Sequence, residues 1–209
     1  MTHAYDEMYV EGAMVRMGDM LEYACLDCDY DPDSFWSMFI RSGLARRFEI
    51  GDVSVVAGKS GPELAYMVLS KADHRRNFPK AKWREDRSDL YWCGWVLAYY
   101  QWDRDVTFSR IWDRISIRML QKMYPALHEA DITKAVDEMD ALMKPGEKRS
   151  VHSLRLLRGL TQQELADKAH MTVSQLQRVE YGERKTENLS LKTALALAKA
   201  LGVEVEELG

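Results

Sequence analysis

Apolar residues recur at spacings of three and four along most of this chain, so its pattern predicts helices almost throughout. Residues 4–28 read as one long helix, with Tyr9, Ala13, Met17, Met20, Ala24 and Cys28 on a single stripe. Its methionines suit an adaptable packed face, either domain core or a groove for another protein. Residues 29–32 break the pattern, and Asp31 followed by Pro32 has the form of an N-cap and first-turn proline. A short apolar helix over 34–42 follows. Residues 52–57 have the letters of a strand, yet no neighbouring run offers a ladder partner; helix or extended connection both remain open there. Ser60 is placed to cap a helix beginning near Pro62 and buried through Leu64, Ala65, Val68, Leu69 and Ala72.

Residues 90–102 hold Tyr91, Trp92, Trp95, Tyr99, Tyr100 and Trp102. Each large aromatic can remove roughly 150–250 Å² from water, so this helix is expected at the centre of its domain, with Gly94 and Ala98 allowing close packing. Exposed on one face, the same rings would form a partner hot spot. Residues 107–120 read as one more helix, with Phe108, Ile111, Trp112, Ile115, Met119 and Leu120 inward. Pro125 is expected to interrupt the pattern, which resumes over 131–143. Pro145 and Gly146 then end helix propensity while charge rises, marking a linker.

The stretch 161–180, TQQELADKAHMTVSQLQRVE, organises the remainder. Thr161 and Glu164 have capping-box spacing, Leu165, Ala166 and Ala169 form one buried stripe, and Leu176 with Val179 forms a second after Thr172, another N-cap. Val173, Ser174, Gln177 and Arg178 then fall on the other face of the second helix. One helix fixed to a core and one presenting hydrogen-bonding side chains is the arrangement that enters a DNA major groove.

The segment 151–208 resembles the Cro and phage-repressor, or Xre-like, helix-turn-helix family. The resemblance is carried by Leu154, Arg155 and Arg158, then Gly159, Leu160, Thr161, Gln162, Glu164, Leu165 and Ala166. It continues through Val179, Glu180, Gly182 and Arg184, and closes with Leu191, Ala198, Leu201, Gly202 and Val203. It implies that Gln162 touches a phosphate, that Val173, Ser174, Gln177 and Arg178 meet base edges or nearby backbone, and that Arg184 and Lys185 flank the duplex. Thr172 joins the phosphate contacts, and Arg155 with Glu180 becomes a buried structural pair. His170 departs from the family, standing where glycine is usual; a positive backbone dihedral there would carry some cost. A weaker resemblance, at Trp95, residues 97–101, Met123, Tyr124, His128, Glu129 and Ala130, is to transcriptional antitoxins of bacterial toxin–antitoxin loci.

The expected architecture is therefore all-α: a multi-helix partner-binding or oligomerisation domain over 1–143, a linker over 144–150, and a five-helix lambda-repressor-like domain over 151–209. A chain of 209 residues accommodates this division. The formal net charge of -4 is uneven: residues 146–209 hold ten Lys or Arg against nine Asp or Glu, and the rest nineteen against twenty-four. The N-terminal body thus repels phosphate or faces protein, and only local cations could steer DNA.

Cys25 and Cys28 make a metal half-site with no second half, and Cys93 is the other thiol; buried free thiols are the better reading, and no metal or cofactor is expected. Residues 58–61, Gly-Lys-Ser-Gly, lack the upstream glycine and spacing of a phosphate loop. Lys71, His74, Arg75, Arg76, Lys80, Lys82 and Arg84 form a basic bridge. It reads as a solvated loop whose Trp83 docks on the core, against the alternative of a second anionic contact. No nucleophile-base set or HExxH helix emerges, so the chain is not read as an enzyme; His128 beside Glu129 is a helix-surface pair. No stretch approaches the roughly 18 apolar residues of a membrane span, and Asp6, Glu7 and Glu11 replace a basic leader. A cytoplasmic protein, nucleoid-associated when bound to DNA, is expected.

These readings converge on a sequence-specific transcriptional repressor acting as a homodimer on double-stranded operator DNA, and as an antitoxin that neutralises a co-encoded toxin. A stand-alone ligand-responsive repressor, and an enzyme or protein adaptor carrying a helix-turn-helix module, stand as alternatives.

Overall fold

The computed structural model describes residues 3–144, 150–203 and 205–209. The protein is all-α, a multi-helix N-terminal region followed by a C-terminal helix-turn-helix domain. Contacts group into two compact units: one runs to Ile111 and from Ile117 to Met139, the other takes in Trp112–Ser116 and the chain from Asp140 onward. Of the expected linker, residues 145–149 lie outside the described residues.

In the first unit α1 (Val10–Glu22) packs along α6 (Asp89–Arg104). Glycine makes the approach possible. A Cβ on Gly94 would lie 2.5 Å from the Met17 carbonyl, and one on Gly18 would lie 2.8 Å from the Tyr91 carbonyl, so the two backbones touch where side chains would keep them apart. The expected helix over 4–28 is not uniform. A 3₁₀ turn (Glu7–Tyr9) precedes α1, and a π-helical segment (Tyr23–Asp27) follows it, closed by Cys28 N–H donating to the Tyr23 carbonyl at 3.1 Å. Cys25, Cys28 and Cys93 are buried free thiols. Burial pushes the Cys25 and Cys93 thiols well above the usual thiol range.

Helices α2 (Pro32–Arg41), α3 (Leu44–Glu49), α4 (Val53–Val56) and α5 (Gly61–Ala72) follow. Asp31 caps α2 ahead of Pro32, and Ser60 with Glu63 forms a capping box on α5. The ambiguous 52–57 run is the short helix α4, started by Asp52 accepting from Ser54 N–H at 3.0 Å. The phosphate-loop-like letters do not form an amide cradle: Arg16 donates to the Ala57 and Lys59 carbonyls at 3.0 and 2.9 Å, so carbonyl oxygens face a cation there. Trp36, Phe39, Phe48 and Phe108 are fully buried, with Trp36 and Phe39 meeting Phe108 at ring separations of 5.5 Å. This second aromatic centre stands beside the one expected on α6.

Three expectations fail. The helix over 107–120 divides into α7 (Phe108–Trp112) and α8 (Ile117–Leu127), because the buried Asp33 carboxylate accepts from Ile117 N–H at 2.8 Å and starts a new helix. Pro125 does not interrupt α8; it lies in its last turn, where its missing N–H removes a single hydrogen bond. Trp83 does not dock on the core but is 84% exposed. The loop carrying it is tied down by its neighbours instead: Arg84 pairs with the buried Asp27 at 2.8 Å, Arg87 with Asp19 at 2.8 Å, and Tyr23 Oη donates to the Pro79 carbonyl at 2.6 Å. Arg84 of the basic bridge thus neutralises a carboxylate of the π segment, and Arg87, just beyond the bridge, neutralises one of α1. Helix α9 (Ile132–Met143) completes the N-terminal helices.

The C-terminal domain comprises α10 (Val151–Leu157), α11 (Gln162–Lys168), α12 (Val173–Glu180) and α13 (Leu191–Leu201), closed by a 3₁₀ turn (Val205–Glu207). Its core gathers Val151, Leu154, Leu165, Ala166, Ala169, Leu176, Val179, Leu197, Ala198, Leu201 and Leu208. Among the described residues no helix is long and apolar enough to cross a membrane.

Candidate nucleic-acid interface

The interface is built from two capping boxes separated by one turn. Thr161 Oγ1 accepts from Glu164 N–H at 3.2 Å while Glu164 accepts from Thr161 N–H at 2.7 Å, fixing the start of α11. Thr172 and Gln175 repeat the device on α12, at 3.2 and 2.9 Å. The sequence reading found Thr172 as a cap but not Gln175, although Thr-x-x-Gln at 172–175 repeats the spacing of Thr-x-x-Glu at 161–164.

Between these caps α11 ends in a Schellman turn. His170 N–H donates to the Asp167 carbonyl at 3.2 Å, and Met171 N–H reaches the Ala166 carbonyl at 3.0 Å. His170 takes φ of 53°, the left-handed conformation that Gly159, Gly182 and Gly202 adopt after the domain's other helices. The chain therefore keeps the turn geometry and absorbs the side-chain strain that the departure from glycine implied.

A buried polar cluster sets α12 against its neighbours. Glu180 accepts from Arg155 Nε at 2.6 Å and from Gln162 Nε2 at 2.8 Å, and His152 Nδ1 lies 3.3 Å away. Arg155 also donates to the Leu160 carbonyl at 2.9 Å, and Gln177 Nε2 donates to Gln162 Oε1 at 3.1 Å. Burial opposes ionisation of Glu180, but hydrogen bonds from His152, Arg155 and Gln162, and the Arg155 charge, outweigh it and hold the carboxyl at about 2. The carboxylate thus joins α10, α11 and α12. His152 was not singled out by the sequence; its position three residues before Arg155 on a helix was the available signal.

Outward from this cluster, Thr172, Ser174, Gln175 and Arg178 are exposed, whereas Leu176 and Val179 are buried. Gln177 is half-buried with its amide tied to Gln162, and Val173 leans partly on the core. Arg184, half-buried, donates to the Asn188 carbonyl at 2.7 Å, and Lys185 is exposed. The structure therefore brings Gln162 and Gln177 together beside Arg155 and Glu180, gives Ser174 and Arg178 to solvent on the same helix, and places Arg184 and Lys185 in the following loop. Such a face can donate to and accept from base edges and phosphates. Among the described residues no cluster of His, Cys, Asp or Glu could hold a metal.

Residues 151–208 match the helix-turn-helix family model, which covers a little over a quarter of the chain. That match gives the chain a helix-turn-helix DNA-binding domain and, with it, a DNA-binding regulatory function. No curated protein and no solved structure matches the chain.

Proposed function

We propose that this protein is a non-enzymatic, sequence-specific transcriptional repressor that binds operator DNA as a dimer through residues 151–209. One observation carries the reading: α12 is locked at its inner face by the Glu180 cluster while Ser174 and Arg178 project outward. A helix held in this way meets a groove with little ordering cost. Gln162, Thr172, Arg184 and Lys185 hold phosphates, and Val173, Ser174, Gln177 and Arg178 read bases, with Arg178 suited to guanine and Gln177 to adenine. Selection from a random duplex pool at low salt tests this. Enrichment of a two-fold related motif is expected; no enrichment refutes it.

Residues 1–143 serve in this reading as the partner-binding or oligomerisation domain, and the partner is a co-encoded toxin that the protein neutralises while repressing its own promoter. Support comes from Trp83, exposed on a loop that ion pairs already fix, because a pre-ordered tryptophan is a favoured anchor at protein interfaces. Co-purification of the neighbouring gene's product, lost with Trp83→Ala, is expected; equal recovery by the variant refutes the anchor. A ligand-responsive repressor is the second reading. Its observation is a hollow of about 290 Å³ lined by Tyr91, Trp92, Trp95, Tyr124 and His128, near the lower limit for a small-molecule site.

A further inference from the structure

We propose that the hollow between α6 and α8 binds a small planar aromatic carboxylate, its ring held among Tyr91, Trp92, Trp95 and Tyr124 and its carboxylate on Arg87. The proposal deepens the ligand-responsive reading and rests on it for its purpose, while the site itself stands on its geometry. The hollow measures about 290 Å³, room for one compact ring system and not for a drug-sized molecule. Trp92 is buried, but Tyr91, Trp95, Tyr124 and His128 are only half-buried, so several rings share one concave surface that water alone covers.

The walls are set at angles that suit a flat guest. Trp92 meets Tyr124 edge to face, at a ring separation of 5.8 Å and an interplanar angle of 74°, while His128 stacks on Tyr124 at 4.4 Å. A planar ring entering here stacks on one wall and turns an edge to the other, the two arrangements that aromatic pairs prefer; a saturated ring gains contact area alone. The walls are also fixed beforehand. Gln121 Nε2 on α8 donates to the Asp89 carboxylate on α6 at 2.9 Å, and Ser88, whose hydroxyl accepts from Tyr91 N–H at 3.1 Å, is itself tied to Glu22 at 2.6 Å. His128 Nδ1 lies 2.9 Å from the Tyr124 carbonyl, which holds that ring against its neighbour. A rigid guest therefore pays little for ordering the site.

Charge selects the guest's polar group. Arg87 is the charged residue lining the hollow, and among the described residues no carboxylate lines it, so an aromatic cage that would otherwise suit an ammonium faces a cation instead. The guanidinium lies over the Tyr91 ring, 4.1 Å from its centroid, and spends Nη1 on Asp19 at 2.8 Å. Its Nε and Nη2 make no hydrogen bond among the described residues, which leaves one planar donor edge for a carboxylate. Residues 1–145 are acidic, with nineteen Lys or Arg against twenty-four Asp or Glu, so this attraction acts at contact and not by long-range steering.

Calorimetry on the full chain without DNA tests the site, with indole-3-carboxylate as the probe. Indole-3-carboxamide keeps the shape and removes the charge, indole-3-methylamine reverses it, and cyclohexanecarboxylate keeps the charge and removes the flat ring. The carboxylate is expected to bind at least about tenfold more tightly than each of the three. Arg87→Met is expected to bring carboxylate and carboxamide to within about twofold of each other while the carboxamide still binds, which a folding defect would not do. Trp95→Ala, with its thermal transition retained, should lose at least about tenfold for both indoles. No binding of the carboxylate up to about 10 mM, equal affinity for carboxylate and carboxamide, tighter binding of the amine, or unchanged binding in Trp95→Ala overturns the site. The ligand-responsive reading is decided separately, by the affinity of the full chain for its selected duplex with and without saturating indole-3-carboxylate. A site that binds the probe while DNA affinity stays the same leaves the site standing and ends that reading.

Discussion

Arg155 on α10 and Glu180 at the end of α12 meet inside the C-terminal domain, with Nε donating to Oε1 at 2.6 Å, the Glu180 side chain fully buried and that of Arg155 7% exposed. Because Glu180 also holds Gln162, the pair fixes both α12 and a residue of α11 beside it. Removing Arg155 leaves a buried carboxylate without its cation, held only by Gln162 and His152. Arg155→Ala is therefore expected to cost about 3–5 kcal/mol in the C-terminal domain, read as a lowered thermal transition. Retention of the original transition would show that the pair contributes little.

The same carboxylate makes the domain acid-sensitive. Its pKa falls from 4.5 to about 2 on folding, so its contribution is complete above about 4.5 and disappears as pH falls toward 2. The contribution is on the order of 3 kcal/mol. Unfolding followed by circular dichroism between these pH values should show a steeper loss for the unaltered protein than for Glu180→Gln, whose side chain does not titrate. Parallel curves would rule this linkage out.

His170, at φ 53°, offers a stabilising change. Glycine at this position removes strain in the left-handed turn, although it adds freedom to the unfolded chain, and a net gain of about 0.5–1 kcal/mol is expected for His170→Gly. His170→Ala keeps the strain and should give no gain. Denaturant midpoints of the two variants check the ordering.

Trp83 and Trp36 should separate surface from core. Trp83 is 84% exposed and Trp36 fully buried. Trp83→Ala is expected to change stability by less than about 0.5 kcal/mol, against about 3–5 kcal/mol for Trp36→Ala. A large loss at Trp83 in denaturant unfolding would show that the loop depends on it.

Much of this arrangement was legible from local chemistry. Asp31 before Pro32, Ser60 before Pro62, and Thr161 three residues before Glu164 each mark a helix start that needs no distant partner. The stripe of Leu165, Ala166 and Ala169 likewise follows from helical period. What escaped depended on contacts across the chain. The break before α8 is set by Asp33, 84 residues away, and the placement of Trp83 follows the pairing of its neighbour Arg84 with Asp27. A tryptophan in a polar segment reads as a core anchor unless those partners are known. On the candidate interface, spacing was enough to assign faces of α12. It did not reveal that Gln177 shares a hydrogen bond with Gln162, because that contact joins two helices.

The most direct measurement is the affinity of full-length Arg178→Ala for the selected duplex and for a scrambled one, at a single stated salt concentration. If α12 reads bases, the selected duplex should lose about 1–3 kcal/mol and the scrambled duplex far less. Equal losses on both would mean that Arg178 touches only backbone and that specificity arises elsewhere.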